Sequence, residues 1–116
     1  MSYTQYLSRP VLDVRSYNEF LRGHLPGAIH IPLEQLLHRH NELNYEIGYC
    51  IICEHGVRGL LACDFLQSKG YDVVNFPGGM SFLEEQIKQQ KISINLNSWK
   101  NSPKKSLNHP QAASPP

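Results

Sequence analysis
The chain has 116 residues and a mass of 13.3 kDa, 41% hydrophobic and 18% charged, the size of one domain whose core stands without disulfide or metal staples. Its formal charge of +1 excludes a strongly basic nucleic-acid binder by composition, and its longest unbroken apolar run, Tyr49–Cys53, is far too short to span a membrane. The opening MSYTQYLSRP lacks a basic start followed by an apolar stretch, and three cysteines form no paired framework, so a reduced, cytoplasmic setting is expected.

Charge is unevenly spread. Residues 1–96 hold all ten acids but eight of the eleven lysines and arginines, a net −2, and are read as the folded domain. The last twenty residues hold Lys100, Lys104 and Lys105 and no acid, a net +3, together with Pro103, Pro110, Pro115 and Pro116. With so little apolar surface to offset ordering entropy, residues 97–116 are expected to be a disordered, solvated tail. Trp99 within it has no assigned role.

In chain order, the ten residues before Val11 have room for one stubby helix through Tyr3, Tyr6 and Leu7. Val11–Val14 reads as a short buried strand. Ser16 and Glu19 have the spacing of a capping box, which opens a helix carrying Phe20 and Leu21. Residues 23–27 (GHLPG) make a turn, and Ala28–Ile31 a second strand. Pro32 starts a helix in which Leu33, Leu36, Leu37, His40 and Leu43 share helical spacing. Ile47–Cys53 is the third strand. A helix then runs from Arg58 to Lys69, stopped by Gly70. Asp72–Phe76 is the fourth strand, Pro77-Gly78-Gly79 a turn, and Met80–Gln90 a last amphipathic helix. Alternating strands and helices predict an α/β domain, its mostly parallel sheet covered by helices on both faces.

In such sheets the chemistry lies beyond the carboxyl ends of the strands, which directs attention to Cys53-Glu54-His55-Gly56-Val57-Arg58. A cysteine closing a strand is ordinarily an inert small hydrophobe. Here it is followed by a glycine loop, an arginine and a helix. Only the thiolate attacks, and the unpaired amides and partial positive charge of a helix N-terminus favour it. A backbone curled from Glu54 to Arg58 would form an anion-binding nest, with Gly56 supplying a left-handed turn. Arg58 offers a positive charge to an anionic substrate, and His55 a further hydrogen bond.

Three segments together resemble the rhodanese family of single-domain sulfurtransferases. Leu12-Asp13-Val14-Arg15 with Glu19-Phe20 is similar to its "DVR…EF" segment, and residues 23–32 (GHLPGAIHIP) to its "GHIPGAINIP" segment. The third is the Cys53–Arg58 loop with Gly70-Tyr71 and Pro77-Gly78-Gly79-Met80. They fall in the family's order over residues 11–90. The resemblance implies a rhodanese-like fold, a persulfide on Cys53, and substrate binding by Glu54, His55, Gly56, Val57 and Arg58. It implies no cofactor and no metal, a small anionic sulfur donor such as thiosulfate, and a thiol or cyanide acceptor. The alternative is a sulfur-relay module serving a partner protein in cofactor or tRNA sulfuration. Phosphatases and arsenate reductases of similar fold carry one more residue between cysteine and arginine, so four intervening residues favour sulfur handling.

The sequence departs from the family in three places. Its members usually carry a strand and a helix before the "DVR" strand, so the sheet is expected to lack its opening edge strand, leaving a monomer or a homodimer. Gly59 replaces a customary serine. The Glu54 carboxylate would oppose a thiolate unless it points to solvent.

The remaining candidates read as structural. Cys50 and Cys53, three apart on a strand, face opposite sides and form neither a zinc knuckle nor a redox pair. Cys50 and Cys63 are expected in the core, His24 and His30 in structural roles. His38 and His40 diverge on their helix and cannot share a metal, and Asp13, Arg15 and Glu19 resemble the family's supporting ion pairs.

Overall fold
The computed structural model describes residues 1–89 and 91. The tail expected at 97–116, with Trp99, lies outside the described residues. Four strands, β1 (Val11–Asp13), β2 (Ile29–His30), β3 (Tyr49–Ile52) and β4 (Val73–Asn75), form one parallel sheet in the order β2-β1-β3-β4. Central β3 is buried along its whole length, as an unbroken apolar strand must be when helices cover both faces. Strand alternation sends Tyr49, Ile51 and Cys53 to one core with Leu36, Ala62, Cys63 and Leu66. Cys50 and Ile52 go to the other, with Phe76, Met80, Leu83 and Ile87. Cys50 and Cys53 therefore face opposite sides, as their spacing predicts. Burial pushes the Cys50 thiol up to about 12 and that of Cys63 up to about 11, so both are inert near neutrality.

The helices are α1 (Tyr3–Leu7), α2 (Tyr17–Leu21), α3 (Leu36–Arg39), α4 (Val57–Ser68) and α5 (Gly79–Lys88). The predicted box opens α2: Ser16 Oγ accepts from the Glu19 N–H, and Glu19 Oε1 accepts from the Ser16 N–H. A second box, Ser2 with Gln5, starts α1. Tyr3 and Tyr6 of α1 pack their rings on Phe76, and Arg9 pairs with Asp72 at 3.0 Å, fastening the N-terminus beside β4. The single helix expected after Pro32 is instead a 3₁₀ turn (Leu33–Gln35), the one turn of α3, and a 3₁₀ turn (His40–Glu42). The Tyr71 hydroxyl donates to the His40 carbonyl at 2.7 Å and the Leu43 N–H to the same oxygen at 2.9 Å, and the chain turns there to bury Leu43.

Near the carboxyl end of β1, the Phe20 ring is stacked between His24 and His30, with centroids 3.7 and 4.1 Å away. His24 Nδ1–H donates to the Phe20 carbonyl and His30 Nε2–H to that of Arg15. Burial holds both imidazoles below their ordinary range, so they fold as neutral rings. Between the folded and unfolded values the unfolded chain binds more protons, so stability falls as pH drops below about 6.5. A urea midpoint lower at about pH 5.5 than at about pH 7.5, with the difference reduced in a His24→Gln/His30→Gln variant, is the expected result.

Candidate active site
Cys53 follows the last residue of β3, at the carboxyl edge of the sheet, and is fully shielded from solvent. Gly56 adopts φ +94°, which turns the chain from the strand into α4. Two backbone N–H groups then point at the sulfur: Gly56 donates to Cys53 Sγ at 3.0 Å and Gly59 at 3.1 Å. Gly56 has no side chain with which to cap α4, and Sγ serves that purpose for Gly59 in the first turn. The sulfur sits where unpaired amides favour negative charge.

The outside of the loop is held by α5. Its first-turn amides satisfy the loop carbonyls, Met80 N–H donating to the Cys53 oxygen at 2.8 Å and Ser81 N–H to that of Glu54 at 3.0 Å. With two carbonyls tied outward, the amides that follow converge on the sulfur. This contact needs the Pro77-Gly78-Gly79 turn, where Gly78 and Gly79 have φ of +82° and +65°. A Cβ at Gly79 would collide with the Cys53 and Glu54 carbonyl oxygens.

The charged residues around the loop are paired. Arg58 makes a two-pronged bond to Glu19, 2.7 Å at each prong, and its guanidinium holds the Glu19 carboxyl down at about 2. Arg58 thus presents a neutralised ion pair rather than an unopposed positive charge. The Glu54 carboxylate does not point freely to solvent. It accepts from Arg15 Nη1 at 3.2 Å and lies 3.8 Å from Arg22, and these cations balance its charge. Arg15 in turn grips Asp13, so Asp13, Arg15 and Glu19 are supporting ion pairs. His55 hydrogen-bonds Ser81 Oγ at 3.1 Å on the exposed side of the loop, and the Val57 side chain faces solvent. Of the five residues expected to bind substrate, Gly56 is the one whose amide bonds to the sulfur; Glu54, His55 and Arg58 are engaged by Arg15, Ser81 and Glu19.

Two site residues were not anticipated. Gly59, which the sequence marks only as standing where a serine is customary, is a direct donor to the sulfur; a glycine three residues past Gly56 is the signal that could have found it. Asn75, at the end of β4, donates from Nδ2 to the Gly56 carbonyl at 3.0 Å. It is nineteen residues from that partner, and no spacing rule joins them. Among the described residues there is no metal-sized cluster of three or more His, Cys, Asp or Glu side chains, and no helix is long and apolar enough to cross a membrane.

Comparison with known proteins agrees with this fold. The chain is 39% identical over 71 residues to YrkF of Bacillus subtilis, provisionally named a sulfur carrier protein; the match takes in 60% of this chain and 38% of YrkF, so the chain spans about two fifths of that relative. It is 30% identical over 83 residues to the thiosulfate sulfurtransferase GlpE of Shewanella oneidensis, 71% of this chain and 82% of GlpE. A crystal structure of a rhodanese-related protein from Thermoplasma volcanium superposes with a TM-score of 0.66 at 34% identity, covering 72% of this chain and 84% of that one. The family model described as "Rhodanese-like domain" matches residues 3–86. On sequence and fold together, the chain belongs to the rhodanese-like domain family, whose named members here include sulfurtransferases.

Proposed function
We propose that the chain transfers sulfane sulfur through a persulfide on Cys53. The observation that carries this reading is the convergence of the Gly56 and Gly59 N–H groups on a buried sulfur at a strand's end. The thiolate attacks the outer sulfur of thiosulfate, or of a similar sulfane donor, and sulfite leaves with the electron pair of the broken S–S bond. The terminal sulfur then passes to a thiol or cyanide, regenerating the thiolate. Two separate half-reactions give ping-pong kinetics.

Two observations favour a partner protein as donor or acceptor. Glu19 neutralises the arginine that would draw in a free dianion. Val57, Leu60 and Leu61, on the first turns of α4 beside the loop, are 67%, 58% and 58% exposed, an apolar face suited to a protein surface rather than to a small anion. In a reduced compartment such a domain would act as a relay.

The test is intact-protein mass spectrometry after incubation with thiosulfate, polysulfide and cysteine persulfide. The expected result is one added sulfur atom, mapped to Cys53, removed again by a thiol or cyanide, and missing in Cys53→Ser. No sulfur gain from any donor would overturn the reading. Loading from persulfides but not from thiosulfate would select the relay.

A further inference from the structure
Asn75 reaches both residues that supply hydrogen bonds to the sulfur. Its Nδ2 donates to the Gly56 carbonyl at 3.0 Å. Its Oδ1 is buried and has no hydrogen-bond partner among the described residues. That oxygen lies against Gly59: a Cβ built there would collide with Oδ1 while standing 3.5 Å from Cys53 Sγ. What faces Oδ1 is therefore the Cα of Gly59, a weak C–H donor. A buried amide oxygen with no N–H or O–H partner is uncommon, and its position calls for an explanation.

We infer that Asn75 is a positioning residue for the Cys53 sulfur, its side-chain amide setting Gly56 and Gly59 so that both of their N–H groups converge on Sγ. One end pulls on the carbonyl of Gly56. The other occupies the space a side chain at residue 59 would need, which holds the first turn of α4 close to β4 and the sulfur. Asn75 and Gly59 are a matched pair: the amide fits because residue 59 has no Cβ. The role rests on Cys53 being the working sulfur, but it concerns the amides around that sulfur and not the donor it meets.

The test therefore reads the thiol and not sulfur transfer, so that it stands even where sulfur loading fails. Cys53 modification by iodoacetamide is followed across pH on the Cys53 peptide; Cys50 and Cys63, their thiols pushed up to about 12 and 11, contribute little near neutrality. Asn75→Ala removes both contacts, and Asn75→Leu keeps the volume without the amide. Both are expected to move the acid limb of the pH–rate profile up by about one unit, which lowers the rate at any pH on that limb by about tenfold. Gly59→Ala, which meets Oδ1 in the wild-type background, is expected to lower the thermal midpoint less when combined with Asn75→Ala. Profiles of the two folded Asn75 variants that superimpose on the wild type would overturn the proposal, as would equal damage by Gly59→Ala in both backgrounds. A lowered thermal midpoint with an unmoved pH profile would make Asn75 merely structural, and would equally overturn it.

Discussion

An Arg15→Met variant is expected to lose about 3–5 kcal/mol of stability, a large share of the roughly 5–15 kcal/mol that holds a domain folded. Asp13 is 0% exposed and Arg15 2%, so neither charge has water to fall back on. The guanidinium donates to Asp13 from Nε at 3.0 and 3.1 Å and from Nη2 at 2.8 Å, and Nη2 also donates to the Gly23 carbonyl. Removing the cation leaves a carboxylate buried and uncompensated, the expensive way to break such a pair. The damage reaches the site, because Nη1 also holds Glu54, the residue after Cys53. Urea titration measures the loss. An Arg15→Met/Asp13→Asn double variant, which no longer buries a charge, is expected to recover part of it. A single variant as stable as wild type would show that the pair contributes nothing net.

Gly79→Ala is expected to damage stability and chemistry together. Its φ of +65° alone costs an alanine about 1–2 kcal/mol. Its Cβ would also run into the carbonyl oxygens of Cys53 and Glu54, which are backbone atoms held by Met80 and Ser81 and cannot step aside as a side-chain end would. The combined loss is about 3 kcal/mol, and the loop, pushed off α5, no longer aims its amides at the sulfur. Sulfur loading should fall at least about tenfold, the equivalent of about 1.4 kcal/mol in the barrier. Gly27→Ala is the control. That glycine also has positive φ, +78°, but its Cβ would meet nothing within 4 Å, so it should lose stability without losing the site. Equal effects from the two substitutions would mean that backbone strain, not contact with the loop, sets the cost.

Much of the fold was legible because it is local. Ser16 and Glu19, three residues apart, form the capping box their spacing predicts, and Tyr49–Ile52 is a strand because it is an apolar run too short for a buried helix. Ends were less legible. The expected strand takes in Ile47, but that residue is exposed, and the strand starts only where the Tyr49 N–H donates to the carbonyl of Asp72, in the segment leading into β4. The stretch after Pro32 carries leucines at helical spacing, yet it divides into short turns, and at its far end the hydroxyl of Tyr71, thirty-one residues away, takes the His40 carbonyl. The same division runs through the site. Cys53, Gly56 and Arg58 stand out by type and spacing within six residues. The carbonyl anchors from α5, the Arg15–Glu54 bond across thirty-nine residues and the Asn75 contact arise only when separate parts of the chain meet.

The dependence of the cysteine loop on α5 also orders events in time during synthesis. The loop residues leave the ribosome well before Met80 and Ser81, whose amides hold the Cys53 and Glu54 carbonyls outward. Until that helix emerges, the Cys53 and Glu54 carbonyls lack the amides that hold them outward, and the loop is without its outer support. The outer support of the loop is thus added only after the loop residues themselves have left the ribosome, and a chain cut short before Met80 would lack it.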